Sequence, residues 1–200
     1  MASENYDPAA PAVPAVSVKI LVAGGFGVGK TTMVAEVSEV TPLRTEEIIS
    51  ELSEGVDDLT GVQEKSTTTV AFDFGRITLD RELVLYLFGT PGQERFWFLW
   101  DELSTGALGA VVLVDTRRLP SSFAAIDYFE RRGLAFVVGV NCFEGAPRYM
   151  AEEVREVLDL DPHVPVQLCD VRDRNSAKSI LITLMEYLIS RVQIPDSARR

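Results

Sequence analysis

The sequence is poor in cysteine, histidine and basic residues. Its 200 residues include two cysteines, one histidine, and 19 lysines and arginines against 30 acidic residues, which gives a net charge of −11. Cys142 and Cys169 do not form a C-x-x-C pair, so the pattern predicts buried thiols in a reducing compartment rather than a cysteine metal site. The acidic balance argues against nucleic acid and anionic lipid as partners.

Long hydrophobic runs and targeting signals are also missing. No apolar run reaches the roughly 18 residues of a membrane span. The first residues lack the basic and apolar parts of a secretory signal. Ala2 replaces the glycine of a myristoylation signal, and the last residues hold no cysteine for a prenyl group. We therefore predict a cytoplasmic protein without its own lipid anchor, which partner proteins alone would bring to a membrane.

The order of apolar patterns predicts one α/β domain. Residues 1–15, rich in alanine and proline, predict a flexible arm; residues 16–194 predict the domain and 195–200 a tail. Strand-like runs alternate with helical patterns, which is typical of a mostly parallel three-layer sheet. An antiparallel hairpin over 70–88 supplies one antiparallel edge strand. Before it, Thr45 is predicted to cap a short helical turn.

A phosphate-loop pattern follows the first predicted strand. Gly24 to Thr31 read G-G-F-G-V-G-K-T, which fits G-x-x-x-x-G-K-[ST] between a strand and a helix. Glycines let successive backbone N–H groups converge on phosphate, and the helix N-terminus adds about half a positive charge. Lys30 can reach the β- and γ-phosphates, and the Thr31 hydroxyl can bind Mg²⁺. The predicted nucleotide contacts of this loop are Gly24, Gly25, Phe26, Gly27, Val28, Gly29, Lys30, Thr31 and Thr32.

A second motif, G-T-P-G-Q-E, ends the third predicted strand at residues 89–94. Ligands of such folds lie at the carboxyl ends of the strands, so this loop is expected in the same site. Here the chain resembles the Ras-like small GTPases, whose third motif is D-x-x-G-Q-E. The resemblance implies that Gly92 senses the γ-phosphate and that Gln93 orients the attacking water. It also implies a Ras-like P-loop NTPase fold.

A threonine run at residues 67–69 resembles the first switch of the same proteins. The following V-A-F-D-F is similar to the start of a Rab-type second strand. Counting from it, Thr69 is implied as the residue that binds Mg²⁺ and the γ-phosphate in the active state, with Thr68 nearly as good. The competing interpretation is that threonine simply favours strands.

More narrowly, G-T-P-G-Q-E-R-F-W-F and N-C-F-E resemble the GTPases of bacterial conservon operons. The bacterial gliding-motility GTPases are a more distant likeness. These families imply a molecular switch that takes GTP, GDP and Mg²⁺. They also imply a roadblock-type protein partner and a complex with a sensor-like membrane protein.

Two departures from the Ras-like pattern concern the metal and hydrolysis. Gly89 stands where the family has the acid that holds a Mg²⁺-bound water. The metal would keep Thr31, Thr69, phosphate oxygens and water, so we expect weaker binding. Phe26 replaces a small residue and is expected to crowd the attacking water or Gln93. Slow hydrolysis follows from this.

A third departure concerns the base. The family motif N-K-x-D is N-C-F-E here, so Asn141 and Glu144 are the predicted base-reading residues. Glu144 still offers two acceptor oxygens to guanine, one methylene further out. Cys142 replaces the lysine whose stem covers the base. The last base-contacting loop falls at Cys169, Asp170 and Val171.

A short segment after the third motif is unusually aromatic. Four aromatic residues exceed what one buried helix face needs, so some of them are predicted to be exposed to a partner. They are Phe96, Trp97, Phe98 and Trp100.

The sequence thus predicts a GTP-binding switch with slow intrinsic hydrolysis. One alternative is a P-loop ATPase or kinase that uses Asp115, at the end of an apolar run, as the metal-binding acid. Another is a nucleotide-stabilised scaffold that binds partners and never turns over. Gly89 and Phe26 favour the scaffold, and Gln93 argues against it.

Overall fold

A computed structural model describes residues 16–41, 43–50, 67–79, 82–92, 96 and 98–193. Within 43–50 and 67–71 it describes the backbone alone. The predicted arm and tail lie outside these residues, as do Gln93 and Trp97. No helix in the described ranges is both long and apolar enough to cross a membrane.

Seven strands form one sheet in the described structure, in the order β2-β3-β4-β1-β5-β6-β7. Their bounds are β1 Val16–Gly24, β2 Leu43–Ser50, β3 Thr67–Thr78, β4 Leu83–Gly89, β5 Ala107–Val114, β6 Phe136–Asn141 and β7 Val166–Cys169. β4, β1, β5, β6 and β7 pair in parallel. β3 runs antiparallel to both of its neighbours, β2 and β4.

The central strands are buried on both faces, as continuous apolar runs predict. Successive residues of β1 point to opposite layers: Ile20 and Val22 join one apolar cluster, and Leu21 and Ala23 join the other. Because both faces of β1 are covered, the strand is held in place on two sides. The loop that leaves its carboxyl end therefore starts from a fixed position.

Helices in the described residues cover the two faces of the sheet. They are α1 Lys30–Val37, α2 Phe98–Ser104, α3 Pro120–Arg132, α4 Ala151–Val157 and α5 Arg174–Gln193. α1 and α5 pack on one face and α3 and α4 on the other, around the two clusters. This is the predicted three-layer α/β arrangement.

Most predicted elements are confirmed, with one correction. The hairpin expected over 70–88 is formed by β3 and β4. The helical turn expected at Thr45 is wrong, because residues 43–50 form β2, which pairs with β3 along its whole length. Thr45, Ile48 and Ile49 are β-branched residues that suit a strand, and cross-strand pairing outweighs one short turn. β2 therefore lies at the sheet edge, and the antiparallel strand β3 is second from it.

Candidate functional site

The phosphate loop connects the end of β1 to the start of α1. Gly29 caps α1 in the left-handed conformation, with φ of 107°. A Cβ atom on Gly29 would lie 2.8 Å from Asn141 Nδ2, so only glycine satisfies both the backbone angle and the close approach. Phe26 lies on the outside of the loop with 66% of its surface exposed. The helix N-terminus and the loop N–H groups form the expected anion site.

Lys30 lies folded against this loop and is buried. Its Nζ donates hydrogen bonds to the carbonyl oxygens of Gly24, at 2.8 Å, and Gly25, at 2.7 Å. Burial lowers the pKa of Lys30 to about 8, and the negative charge of Asp73 opposes part of that fall. An anion bound at the loop would stabilise the ammonium form. The environment of Lys30 therefore favours the binding of an anion such as phosphate at this position.

The loop that follows β4 and carries the G-T-P-G-Q-E motif, called the third loop below, lies against the phosphate loop through its described residues 90–92. A Cβ atom on Gly92 would be 2.6 Å from Lys30 Nζ and 2.9 Å from the backbone nitrogen of Phe26. The Thr90 N–H donates to the Val22 carbonyl at 2.9 Å, which fixes the loop to β1. The structure thus brings the predicted residues Lys30 and Gly92 together. A phosphate that bound Lys30 at this point would have to displace Gly92 or be sensed by it.

An acidic side chain that the sequence analysis missed lies beside Thr31. Thr31 Oγ1 donates a hydrogen bond of 2.5 Å to Asp73 Oδ2. Asp73 is on β3, and its antiparallel partner on β4 is Gly89. Mg²⁺ prefers hard oxygen ligands and keeps several waters, so the Thr31 hydroxyl, with the Asp73 carboxylate beside it, fits a Mg²⁺ ion shared with phosphate oxygens. Thr32, the next residue of α1, is exposed.

Thr69 and Gln93 stay predictions. Thr69 pairs with Ile48 in the β2–β3 ladder, four residues before Asp73. Four residues of extended chain span about 13 Å. Thr69 therefore reaches Thr31 only if this part of β3 rearranges. Gln93 lies outside the described residues.

Asn141 connects the predicted phosphate and base regions. It is buried, its Nδ2 donates to the Val28 carbonyl at 3.0 Å, and its Oδ1 accepts from the Val171 N–H at 3.3 Å. The Cys142 N–H donates to the Cys169 carbonyl at 2.7 Å. The predicted residues Asn141 and Val171 are thus brought together with the phosphate loop. Through its side-chain amide, Asn141 connects the end of β6 to the phosphate loop and to the loop after β7.

A groove beside Asn141 contains the remaining predicted base contacts. The Arg172 guanidinium donates two hydrogen bonds, of 2.9 and 2.7 Å, to the carboxylate of Asp170. This contact lowers the pKa of Asp170 to about 2. The charge of Glu144 adds to the rise in the pKa of Arg172, after the larger effect of Asp170. Burial raises the pKa of the Cys169 thiol to about 12, so this cysteine stays protonated. The groove is lined by Cys142, Phe143, Glu144, Gly145, Ala146, Arg148, Leu168, Cys169, Asp170, Arg172 and Ser176.

Asp115, the metal-binding acid of the alternative hypothesis, is held by arginines. It is 1% exposed, and Arg117 donates to both of its oxygens, at 2.9 and 2.8 Å. These hydrogen bonds lower the pKa of Asp115. Arg118 contacts Asp115 at 3.4 Å and also donates to the Phe26 carbonyl at 3.1 Å. The carboxylate therefore positions two arginines, one of which lies on the phosphate loop.

Two of the three described aromatic residues in the aromatic segment are buried. Phe96 and Trp100 are 6% and 3% exposed, whereas Phe98 is 53% exposed. The Trp100 ring stacks on Phe129 with centroids 5.9 Å apart, and its Nε1 donates to the Pro91 carbonyl at 3.1 Å. Trp100 thus ties the third loop to the core. Among the described members of the segment, Phe98 is the exposed aromatic residue.

A glycine-rich loop between a strand and a helix, with the other loops gathered at the carboxyl ends of parallel strands, defines a P-loop nucleotide-binding protein with a G-domain fold. The chain belongs to the family described as "Conserved hypothetical ATP binding protein", whose model matches residues 22–191. Over 101 residues it is 31% identical to an uncharacterized protein of Methanocaldococcus jannaschii. That match covers 50% of this chain and 53% of the relative, so the chain spans about half the length of that protein.

Two solved structures share the fold. The G domain of the T. maritima FeoB iron transporter has a TM-score of 0.57 at 17% identity and covers 89% of this chain and 100% of its own. The cytosolic domain of the same transporter in apo form has a TM-score of 0.61 at 16% identity. It covers 86% of this chain and 64% of its own, and at these identities the likeness concerns the fold. The predicted three-layer P-loop fold is confirmed.

Proposed function

We propose that this protein is a GTP-binding switch that hydrolyses GTP slowly. The observation that carries the proposal is the contact between the third loop and the phosphate loop, where Gly92 lies against Lys30. Lys30 can bind the β-phosphate of GDP as well as the phosphates of GTP, and the additional γ-phosphate of GTP is proposed to be the group that reaches Gly92. The position of the third loop would then depend on the nucleotide, as in other switches that order a loop on the γ-phosphate.

Each part of the site has a role in this proposal. The phosphate-loop N–H groups and Lys30 bind the phosphates, and Thr31 would hold Mg²⁺. Bound Mg²⁺ would neutralise charge that develops on the transferred phosphate. Gln93 is proposed to orient the water. Phe26, exposed beside this site, is proposed to keep hydrolysis slow.

Guanine is the proposed base, and Glu144 the residue that reads it. Glu144 lines the groove next to Asn141, where its carboxylate can accept from guanine N1–H and N2–H₂. Adenine is the second candidate, because the family is described as ATP-binding. An ATPase or kinase that uses Asp115 as its metal-binding acid has less support, since two arginines already bind that carboxylate.

Nucleotide carried through purification tests the proposal. We expect mass spectrometry to find GDP or GTP, and a fluorescent GDP analogue to be displaced by GTP far better than by ATP. Lys30→Ala should lose measurable affinity while it stays folded. Bound ATP, or displacement by ATP at the same concentration as GTP, would reject the guanine proposal. A folded Lys30→Ala protein with unchanged affinity would place the nucleotide elsewhere.

Single-turnover GTP decay tests the hydrolysis step. Ras-like proteins without an arginine finger hydrolyse GTP at rates on the order of 10⁻⁴ per second, and we expect this rate or lower. Gln93→Leu should slow it further. Equal rates in both proteins would show that Gln93 does not position the water, and an undetectable rate in both would support the scaffold.

The cellular setting is proposed from the resemblance to conservon-type GTPases. A cytoplasmic protein of this kind would act on a roadblock-type partner. Partner proteins linked to a sensor would bring it to a membrane.

A further inference from the structure

The position that holds the metal-bound water in Ras-like proteins has no side chain here. Gly89 ends β4 at that position, and the sequence alone predicts a weakened metal site. Its partner across the β3–β4 ladder is Asp73. A Cβ atom on Gly89 would lie 3.0 Å from Asp73 Cβ and 3.1 Å from Asp73 Oδ2. The carboxylate of Asp73 therefore fills the space that a side chain at 89 would occupy.

Asp73 contacts the predicted metal ligand directly. The Thr31 hydroxyl donates a hydrogen bond to Asp73 Oδ2, with an Oγ1–Oδ2 distance of 2.5 Å. A hydroxyl that gives its proton to a carboxylate keeps its lone pairs for a metal and becomes a better ligand, which is the usual effect of an outer-shell carboxylate. Because Thr31 contacts Oδ2, a metal-bound water would be held by Oδ1 of the same carboxylate.

The charge of Asp73 also acts on the phosphate site, because it opposes the fall in the pKa of Lys30. A carboxylate this close to bound phosphates would repel them unless a cation lay between. The position of Asp73 thus makes chemical sense with a divalent ion present.

We propose that Asp73 is the carboxylate that holds a Mg²⁺-bound water and orients Thr31, reaching from β3 into the place left by Gly89. The acid that Ras-like proteins carry at the position of Gly89 on β4 is then supplied by its cross-strand partner, Asp73 on β3. This inference rests on the proposed function, since the metal is shared with a nucleotide.

The dependence of nucleotide affinity on Mg²⁺ tests the inference. We define the magnesium factor as the Kd of a fluorescent GDP or ADP analogue in excess EDTA divided by its Kd in excess Mg²⁺. Loss of an outer-shell carboxylate lowers metal affinity about 10–100-fold, so Asp73→Asn should lower this factor to that extent. In EDTA, Asp73→Asn should bind the analogue as tightly as wild type or more tightly, because a charge that repels phosphate is gone.

Two further variants test whether the effect is specific to Asp73 and to its place in the hairpin. Asp127→Asn, which removes an exposed carboxylate on α3, is the control and should keep the wild-type magnesium factor. The swap Asp73→Gly/Gly89→Asp, which returns the acid to β4, should recover most of the factor that Asp73→Gly alone loses. Mn²⁺ bound in the presence of GDP, counted by electron paramagnetic resonance, gives a second readout without hydrolysis.

The outcomes are distinct. An unchanged factor in Asp73→Asn, or an equal loss of affinity in Mg²⁺ and in EDTA, would overturn the inference, because Asp73 would then be a structural contact only. If the swap Asp73→Gly/Gly89→Asp has a magnesium factor as low as that of Asp73→Gly, an acid at position 89 does not replace one at position 73. A wild-type protein that binds neither analogue would overturn the proposed function as well.

Discussion

At the scale of single residues, the burial of Lys30 should lower the stability of the nucleotide-free protein at neutral pH. The pKa of Lys30 is lowered from 10.5 to about 8 because folding buries the ammonium group. Below pH 8 both the folded and the unfolded chain bind the proton, and the whole penalty is present. Between pH 8 and 10.5 the unfolded chain binds more protons than the folded chain, so Lys30 makes stability rise with pH.

The nucleotide-free protein should show this rise in urea unfolding. One pKa unit corresponds to about 1.4 kcal/mol, so Lys30 should add about 2 kcal/mol between pH 8 and 9.5. Lys30→Met should lack that increment, and the difference between the two proteins removes the titration of other groups. Parallel profiles for wild type and Lys30→Met would show that the lysine is solvated when no nucleotide is bound.

Glu144 carries the prediction about the base. Glu144→Gln replaces one acceptor by a donor that faces guanine's own donors, which should cost about 1–3 kcal/mol of affinity for a GDP analogue. Affinity for an ADP analogue should change much less. Glu186→Gln, an exposed site on α5, is the matched control and should change neither. Equal losses for both nucleotides in competition titrations would mean that Glu144 does not read the base.

At the scale of elements, Trp100 on α2 links the third loop to the core. Its ring is stacked on Phe129 of α3, and its indole N–H holds the Pro91 carbonyl. Trp100→Ala should destabilise the fold by about 3–5 kcal/mol, as large aromatic truncations in cores do. If Trp100→Ala lost partner binding, the loss would therefore reflect unfolding rather than a missing contact with the partner.

Trp100→Phe separates the hydrogen bond from the packing. A phenyl ring keeps most of the buried surface and removes the bond to Pro91, which should cost about 1 kcal/mol of stability. Because that bond anchors the third loop, hydrogen exchange at Gly92 should become faster than in wild type. Unchanged exchange at Gly92 would show that the loop is held by other contacts. Ile180→Val, at a buried site in the apolar cluster on the other face of the sheet, should cost a similar free energy of unfolding and leave this exchange unchanged, so it is the control.

The hairpin of β3 and β4 illustrates what the sequence could and could not predict. Alternating apolar residues predicted β3, and the apolar run L-V-L-Y-L-F predicted β4. A turn centred on residue 81 pairs position 73 with position 89, as observed. The pairing of Asp73 with Gly89 therefore follows from the hairpin register, whereas the Ras-like motif alone does not indicate it. β2 was harder to predict, because its mixed polar pattern becomes a strand only through pairing with β3.

The candidate site divides in the same way. Phosphate-loop residues were predictable, because a local backbone shape defines them. Arg172 and Arg118 were not, since their contacts with Asp170 and Phe26 depend on side-chain packing between loops. Burial of Trp100 likewise depends on α3, which the aromatic pattern of its own segment does not reveal.

At the scale of the whole molecule, the sheet gathers the functional loops at one edge. β1, β4, β5 and β6 are neighbours and run in the same direction, so the loops after them meet at their carboxyl ends. The third loop continues into α2, whose first residue is the exposed Phe98. Under the proposed function, a shift of Gly92 on the γ-phosphate should change the surface around Phe98, which is six positions further along the chain.

Partner binding should depend on the nucleotide for this reason. A ligand biases a switch only through different affinities for its two states, so a roadblock-type partner should bind more tightly with a non-hydrolysable GTP analogue than with GDP. Phe98→Ala should remove that difference, and Trp97→Ala is expected to do the same. Ile182→Ala, at a 57% exposed site on α5, is the control and should leave it intact. Calorimetry in both nucleotide states measures the difference. Equal affinities in wild type would indicate a constitutive complex, because the γ-phosphate would then reach Gly92 without changing the surface around Phe98.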